Sequence, residues 1–299
     1  MELLKRVLTA IVLIPLVIIL ILRAPVPVLA FVSGVVALLA IRELLKLSQA
    51  YGIRPFHSAT YVYCGAFFLL IAIHPGATDA LSTAAFAYFA VGGAAFVPFL
   101  FLALGMRSHE LNSGFPAAMV STFAFVYVTL PMASLVALRE QWRGGFFLLY
   151  LLLLVWAGDI FAYFVGKPFG RHRMSPRVSP NKTWEGALAS VLASVGVGIA
   201  MFHYAVPISS ALLKTHLIER KDGIFSPESS LMPVILLSII LNTAAQFGDL
   251  VESLIKRGAG MKDSGAILPG HGGMFDRIDA LLFAAPVLWC YLAWRVMMQ

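Results

Sequence analysis

The chain has 299 residues, of which 60% are hydrophobic and only 12% are charged, and its mean hydropathy is +0.87. An ordinary soluble domain carries about a quarter charged residues, so this composition excludes a water-soluble globular protein and indicates that lipid surrounds most of the chain. The net charge of +7 would suggest a nucleic-acid partner for a soluble protein, but here it is better explained by Lys-rich and Arg-rich loops on the cytoplasmic side. We therefore expect membrane lipid, and no nucleic acid, as a partner.

Nine apolar segments, taken in chain order, predict membrane-spanning helices. Helices are favoured because backbone polar groups in lipid must find partners within their own segment. A helix needs about 20 apolar residues to cross the hydrocarbon core, and several segments are shorter, so eight spans are the alternative. The predicted fold class is an all-α polytopic membrane protein with about nine transmembrane helices. The segments are Val7–Leu22, Pro27–Ile41, Ala59–Ile73, Ala80–Leu104, Phe115–Leu138, Phe146–Val165, Ala187–Val206, Leu231–Phe247 and Ala280–Val296.

The first segment begins with basic residues and continues into a long apolar run, as a signal peptide does. It lacks a clear small-residue cleavage site and further spans follow it, so we interpret it as a retained first span. With nine spans and a cytoplasmic N-terminus, most of the 22 Lys and Arg residues fall in cytoplasmic loops, as the positive-inside rule requires. Both long charged loops of the second half then lie on the cytoplasmic face.

We divide the chain into two regions. Residues 1–140 are expected to form transmembrane helices with a scaffold role or with oligomer contacts, a homodimer being one candidate assembly. Residues 141–299 are expected to form a catalytic region with a polar site that faces the cytoplasm, because the charged motifs concentrate there.

The first charged motif joins the last two spans. Asp249, Glu252 and Lys256 fall on one face if this stretch is helical. Asp276 and Asp279 share a face in the first turn of the last helix, where the helix N-terminus favours negative charge or an anion held through a metal. The motif therefore brings carboxylates to the same membrane face from two neighbouring helices.

The loop between these carboxylates contains the sequence PGHGG, in which His271 is followed by Gly272 and Gly273. Glycines permit the close backbone approach that phosphate binding needs. Carboxylates for a hard divalent cation, a glycine-rich backbone and several cations are the ingredients of phosphoryl-type transfer. The alternative is a charged re-entrant loop whose acids and bases pair with one another. The cations that could neutralise phosphate oxygens are Lys256, Arg257, Lys262 and Arg277.

The second motif begins with an aspartate inside an apolar span. A charge there costs roughly 2.5–3.5 kcal/mol on insertion scales, so an intramembrane aspartate is a candidate functional residue. Asp159, Tyr163 and Lys167 recur every four residues and form one polar stripe that leads to the cytoplasmic surface. The alternative is a structural contact of Asp159 with a neighbouring helix.

A basic loop follows this stripe and is suited to lipid phosphate or nucleotide phosphate, although it also fits topology-setting charge beside anionic headgroups. Ser179 and the proline after it predict a helix N-cap and a first helical residue, which would direct Asn181, Lys182 and Thr183 into the site. Glu185 fits an ion pair and a metal site equally well. The basic residues are Lys167, Arg171, Arg173, Arg177 and Lys182.

Outside these two motifs, Arg42 and Glu43 are interpreted as an ion pair at the membrane boundary.

Both motifs resemble those of a known family. The pattern S-x-x-K-R-x4-K-D-x-G-x3-P-x-H-G-G-x-x-D-R-x-D, from Ser253 to Asp279, resembles the C-terminal signature of the phosphatidate cytidylyltransferases, or CDP-diacylglycerol synthases. The stretch from Asp159 to Gly186 resembles the upstream motif of that family. Together the two motifs cover about the second half of the chain.

The resemblance implies that CTP and phosphatidate are converted to CDP-diacylglycerol and pyrophosphate, with Mg²⁺ as cofactor and with or without a monovalent cation. It implies that Asp249 and Asp276 are the metal ligands and that His271 orients a phosphate or shapes its loop. It places Asp159, Lys167 and Lys182 at the lipid side, and it implies an integral membrane protein, in the inner membrane if the source is bacterial. The further catalytic residues that it implies are Lys256, Arg257, Lys262, Asp263, Arg277 and Asp279.

Two other functions are weighed against this one. A CTP-dependent lipid kinase acting on a polyprenol would share the nucleotide and the membrane setting but would release CDP. An ion transporter could use Asp159 as an intramembrane site, but it would need polar residues in several spans, and the first five segments have almost none.

Overall fold

The computed structural model describes residues 2–73, 80–108, 110–141, 143–218, 230–267 and 272–298. Within these residues the chain is almost entirely helical, which confirms the all-α prediction. Eight of the nine predicted apolar segments lie in continuous helix, and the ninth, Ala187–Val206, runs past the end of one helix at His203 into the start of the next. The elements of the first half are α1 (Glu2–Arg23), α2 (Val26–Ala50), α3 (His57–Ile73), α4 (Ala80–Gly105), α5 (Leu111–Ala124), a π-helical segment (Phe125–Thr129) and α6 (Leu130–Glu140).

The second half contains one short β-hairpin among its helices. Its elements are α7 (Gly144–Phe169), β1 (Arg173–Ser175), β2 (Ser179–Thr183), α8 (Trp184–His203), α9 (Ala205–Lys214), α10 (Leu231–Gly258) and α11 (Phe275–Met297).

Seven of the described helices are long and apolar enough to cross a membrane. The helix over Leu111–Glu140 counts as one span, because α5, the π-helical segment and α6 are continuous. Three shorter apolar helices, Ile11–Arg23, His57–Ile73 and Ala205–Lys214, are also described, so seven described helices meet the length for a span where nine spans were predicted. The seven are Val26–Ala50, Thr83–Gly105, Leu111–Glu140, Gly144–Phe169, Trp184–His203, Leu231–Gly258 and Phe275–Val296.

The start of α8 differs from the prediction. Ser179 and Pro180 do not begin a helix: they lie in β2, which pairs antiparallel with β1, with Ser175 opposite Ser179. The N-cap is Thr183, whose side chain accepts a hydrogen bond from the Gly186 N–H (3.2 Å). A Ser-Pro pair also suits the start of an edge strand, since the missing N–H of proline is tolerated there, and the hairpin partner decides between the two.

The helix α7 divides into two halves with different surroundings. Its first half, from Phe146 to Val155, is buried among the other helices, whereas Ile160, Phe161 and Phe164 in the second half are exposed. Exposed apolar side chains on a membrane-spanning helix face lipid. Asp159 therefore lies where α7 leaves the helical core.

The π-helical segment lies against the last helix. The Tyr127 ring meets the rings of Phe275 and Phe283, each with 5.9 Å between centroids. Tyr127 is buried. The segment thus contacts the first turns of α11, which carry the aspartates of the first motif.

Candidate active site

The centre of the site is a cluster of three carboxylates from two helices. Asp249 and Glu252 in α10 and Asp279 in α11 each place one carboxylate oxygen within 4.8 Å of the others. We call these three residues the acidic triad. Their spacing is that of oxygens gathered around one cation, and oxygen ligands are those that hard divalent cations prefer.

Glu252 connects the acidic triad to a lysine. It is fully buried, and its Oε2 lies 2.6 Å from Lys256 Nζ, one helical turn further along α10. Neither oxygen of Glu252 has a hydrogen bond of regular geometry among the described residues. A buried carboxylate with unused acceptor capacity is costly unless an ion satisfies it, so Glu252 supports the fit of a cation at the triad.

Asp276 has a different environment from that of the acidic triad. Its Oδ1 lies 2.6 Å from Lys256 Nζ, and its Oδ2 accepts hydrogen bonds from the backbone N–H groups of Ser264 (3.1 Å) and Gly273 (2.8 Å). Lys256 is thus shared between Asp276 and Glu252. The predicted residues Asp249, Lys256, Asp276 and Asp279 are therefore brought together, with Asp276 held by donors beside the triad.

Glycines in the loop that joins α10 to α11, which we call the signature loop, make this arrangement feasible. Gly272 has a φ of +78°, which L side chains rarely adopt, and a Cβ there would lie 2.7 Å from Asp276 Oδ2. The glycine therefore lets the backbone approach the carboxylate of Asp276, and the predicted role of the glycines in binding phosphate stays a prediction. His271, which precedes them, lies outside the described residues.

Glu43 of α2 also belongs to the site, and the prediction of a boundary ion pair with Arg42 was wrong. The Glu43 side chain is buried and accepts hydrogen bonds from Ser264 Oγ (2.8 Å) and from the N–H groups of Met274 (3.1 Å) and Phe275 (2.8 Å). It satisfies backbone donors at the start of α11, which otherwise have no helical partner. The sequence contains no local signal for this contact, since more than 200 residues separate the partners.

Lys182 and Asp159 bring the second motif to the acidic triad. Lys182 Nζ lies 2.5 Å from Asp249 Oδ2. Asp159, Lys182 and Asp249 also line a cavity of about 310 Å³ between α7, β2, α8 and α10. The two motifs predicted from the sequence therefore form one site. The predicted residues that line this cavity are Asp159, Tyr163, Asn181, Lys182, Thr183 and Asp249.

A buried polar network forms the inner wall of this cavity, and the sequence analysis missed it. Asn242 Nδ2 donates to Ser190 Oγ (2.9 Å) and Ser194 Oγ (2.8 Å), while Gln246 Nε2 donates to the Ala187 carbonyl (3.2 Å). Ser190 and Gln246 line the cavity. The signal was available, because Asn242, Gln246 and Asp249 fall on one face of α10 at helical spacing.

Two further predicted residues pair with neighbours in their own motif. Lys167 Nζ donates to Tyr163 Oη (3.1 Å), and both side chains are exposed at the rim. Glu185 accepts from the backbone N–H of His172, and its Oε1 lies 2.7 Å from His172 Nδ1. Glu185 is thus engaged by His172 in this structure, and its two predicted roles, ion pair and metal site, stay predictions.

The remaining charged residues predicted from the first motif have no ion pair with the acidic triad among those described, where its partners are Lys182 and Lys256. Arg257 Nε donates to the Val178 carbonyl (3.3 Å) and one Nη donates to the Met261 carbonyl (3.4 Å), so Arg257 joins the hairpin to the end of α10. Lys262, Asp263 and Arg277 are exposed around the loop. They surround the site without contacting the triad in this structure.

These features define a class of protein: an integral membrane protein whose long apolar helices carry a charged site at one end. The model of the Cytidylyltransferase family matches residues 4–294. The chain therefore belongs to this family.

Relatives named phosphatidate cytidylyltransferase are similar to this chain over a little more than half of its length. The protein from Haemophilus influenzae is 34% identical over 170 residues, which is 55% of this chain and 54% of the relative. That from Brucella abortus is 37% identical over 179 residues (60% and 57%), and that from Thermotoga maritima is 39% identical over 176 residues (59% and 58%). The chain thus spans little more than half the length of these relatives.

Proposed function

We propose that this protein transfers the cytidylyl group of CTP to phosphatidate, giving CDP-diacylglycerol and pyrophosphate in phospholipid biosynthesis. The observation that carries the proposal is the convergence of the two motifs, through the Lys182–Asp249 ion pair, on one acidic site beside a polar cavity in a membrane helix bundle. Family membership and the names of the relatives support it. Neither supports the lipid kinase or the transporter.

The acidic triad is the proposed site of Mg²⁺. Asp249 was predicted as a ligand together with Asp276, but the close oxygens belong to Asp249, Glu252 and Asp279. Asp276 accepts hydrogen bonds from a lysine and two backbone N–H groups, so we assign it to holding the signature loop. A divalent cation at the triad would neutralise phosphate oxygens and make the α-phosphorus more electrophilic. Whether a monovalent cation also binds stays an open prediction.

The reaction needs little proton transfer from the protein. A phosphate oxygen of phosphatidate, already anionic at neutral pH, forms a bond to the α-phosphorus of CTP, while the bond to the β-phosphate breaks and pyrophosphate leaves. The protein positions the reactants and stabilises charge. Lys182 and Lys256 are paired with carboxylates in this structure, and we propose that they turn to phosphate oxygens once a cation occupies the acidic triad.

The orientation and the assembly are also proposals. The charged site is placed on the cytoplasmic face, where CTP is found, and the N-terminus is placed on the same side. Two of the shorter apolar helices, Ile11–Arg23 and His57–Ile73, would complete nine spans. Residues 141–299 supply the catalytic groups, with Glu43 as an added support from the first region. Residues 1–140 supply the scaffold or oligomer contacts, a homodimer being one candidate assembly, and the membrane is the inner membrane if the source is bacterial.

The product distinguishes this function from its competitor. Purified protein in detergent is given Mg²⁺, phosphatidate and one nucleotide at a time, and pyrophosphate and labelled lipid are measured. We expect pyrophosphate and CDP-diacylglycerol with CTP. Release of CDP together with a phosphorylated polyprenol, when that alcohol replaces phosphatidate, would instead identify a kinase.

A further inference from the structure

A buried tyrosine from the first half of the chain lies against the part of α11 that carries the acidic triad. Tyr127 is only 8% exposed, and its ring packs against the rings of Phe275 and Phe283, with 5.9 Å between the centroids of each pair. These two phenylalanines lie four residues before and four residues after Asp279, so the three side chains share one face of α11. The ring of Tyr127 therefore covers the turn of α11 that holds Asp279.

The hydroxyl of Tyr127 is buried and has no hydrogen-bond partner among the described residues. The charged groups that act on this hydroxyl are the carboxylates of Glu252 and Asp279, two members of the acidic triad. A buried tyrosine hydroxyl usually has a partner, and leaving it without one costs free energy. Since carboxylates only accept hydrogen bonds, the unused O–H donor of Tyr127 is complementary to the triad.

One member of the acidic triad also lacks a side-chain partner. Asp249 forms an ion pair with Lys182. Glu252 forms an ion pair with Lys256. Asp279 has no side-chain partner among the described residues, and its Oδ1 accepts a hydrogen bond from the backbone N–H of the residue that follows it (2.9 Å). A carboxylate that binds a metal is usually held by a further hydrogen bond, so Asp279 has a place for such a donor.

The backbone around Tyr127 gives an independent indication. Tyr127 is the central residue of the π-helical segment Phe125–Thr129. Single π-helical turns inside an α-helix are rare, and they occur frequently at functional sites. This turn lies within the span Leu111–Glu140, where that span contacts the start of α11.

We infer that Tyr127 is a positioning residue of the acidic triad, and that its hydroxyl donates a hydrogen bond to the carboxylate of Asp279 when Mg²⁺ is bound. The cation would draw the carboxylates together, and the hydroxyl would hold Asp279 in the orientation that the cation needs. The inference rests on the Mg²⁺ site of the proposed function. It adds a residue of the N-terminal region, outside both charged motifs, to the support of that site.

The test compares the wild type with Tyr127→Phe, which keeps the ring and removes only the hydroxyl. Thermal unfolding of the full-length protein in detergent is followed by intrinsic fluorescence at increasing Mg²⁺ concentrations. We expect Tyr127→Phe to need at least about tenfold more Mg²⁺ for half of the rise in midpoint, because a donor to a ligand carboxylate is lost. The Mg²⁺ concentration for half-maximal release of pyrophosphate should increase by a similar factor.

The midpoint without Mg²⁺ separates this role from a purely structural one. In Tyr127→Phe it should equal or exceed that of the wild type, because a buried hydroxyl without a partner has been removed. A lower midpoint without Mg²⁺, together with an unchanged Mg²⁺ dependence, would show that the hydroxyl only stabilises the fold and would overturn the inference.

Tyr150→Phe is the matched control. Tyr150 is also buried, but its hydroxyl is bonded to Ser238 Oγ (2.7 Å), and Ser238 precedes Asp249 by 11 residues of α10, or about 16 Å of helix. This variant should have a lower midpoint without Mg²⁺ and the Mg²⁺ dependence of the wild type. An equal Mg²⁺ dependence in Tyr127→Phe and a responsive wild type would overturn the inference and leave the metal site standing. No response to Mg²⁺ in the wild type would instead contradict the metal site itself, and the inference with it.

Discussion

Asp276 and Asp279 are three residues apart in α11 but have different surroundings. Asp276 is held by Lys256 and by backbone N–H groups of the signature loop, whereas Asp279 faces Asp249 and Glu252. The sequence predicted that both belong to the site, because both lie in the first turns of one helix. It could not assign their roles, since these depend on which residues of α10 and of the loop face each carboxylate.

The first prediction separates these roles. Asp279→Asn should remove the rise in thermal midpoint that Mg²⁺ gives to the wild type, and should lower turnover at least about a hundredfold, because a ligand carboxylate is lost. Asp276→Asn should lower the midpoint without Mg²⁺ but keep most of the Mg²⁺-dependent rise. The thermal midpoint is measured by fluorescence during heating at several Mg²⁺ concentrations, and turnover is measured as the release of pyrophosphate from CTP.

Glu110→Gln is the control for this pair, because Glu110 is an exposed carboxylate outside the site. It should behave as the wild type in both measurements. A full Mg²⁺ response in Asp279→Asn, together with its loss in Asp276→Asn, would return the metal to the ligand set first predicted from the sequence.

The second prediction concerns Glu43. Glu43→Ala leaves two buried N–H groups at the start of α11 without an acceptor, at a cost of about 1–3 kcal/mol each. We expect a clearly lower thermal midpoint and much reduced turnover. Glu43→Gln keeps one acceptor oxygen and should lie between Glu43→Ala and the wild type. Equal midpoints for Glu43→Ala and the wild type would show that the contact does not stabilise α11.

At the scale of elements, hydropathy predicted the helices well and the connections poorly. Nearly all residues of the nine apolar segments are helical, because lipid allows few other backbone structures. The hydropathy of the sequence is therefore enough to predict these helices. The hairpin between α7 and α8 was mistaken for a helix start, since Ser179 and Pro180 suit both a helix start and an edge strand. Only the pairing with β1 distinguishes them, and pairing is a tertiary property.

The third prediction tests the close packing of α7 and α8 below this hairpin. A Cβ at Gly186 would lie 2.9 Å from the Ala162 carbonyl oxygen and 3.2 Å from Gly166 Cα. Gly186→Ala should therefore separate the two helices and destabilise the protein by about 1–3 kcal/mol. It should also lower turnover, because Lys182 and Thr183 immediately precede this contact.

Gly196 in the same helix is the matched control, since a Cβ there has no neighbour within 4 Å. Gly196→Ala should leave turnover unchanged and raise stability by up to about 1 kcal/mol, as alanine is the better helix former. The thermal unfolding midpoints of the two variants, measured side by side, show whether the contact at Gly186 limits stability. A Gly186→Ala protein as stable as Gly196→Ala would mean that the helices can adjust freely.

At the scale of the whole molecule, the distribution of Lys and Arg residues predicts which ends of the helices face the cytoplasm. The fourth prediction uses single cysteines, after replacement of Cys64 and Cys290 by Ser. A membrane-impermeant maleimide added to intact cells should label Arg295→Cys, and should label Arg177→Cys only after the membrane is opened. The opposite pattern would place the active site outside the cell, away from CTP.

The π-helical segment within Leu111–Glu140 has a consequence for how this span can vary. A π-helical turn holds one residue more than the α-helical turn it replaces, so Phe125–Thr129 contains an inserted residue. Deleting a single residue there would restore regular winding, rotate one end of the span against the other and turn Tyr127 away from Phe275 and Phe283. Hydropathy would hardly change. The contact of Tyr127 with α11 therefore depends on the register of this span, which its hydropathy does not determine.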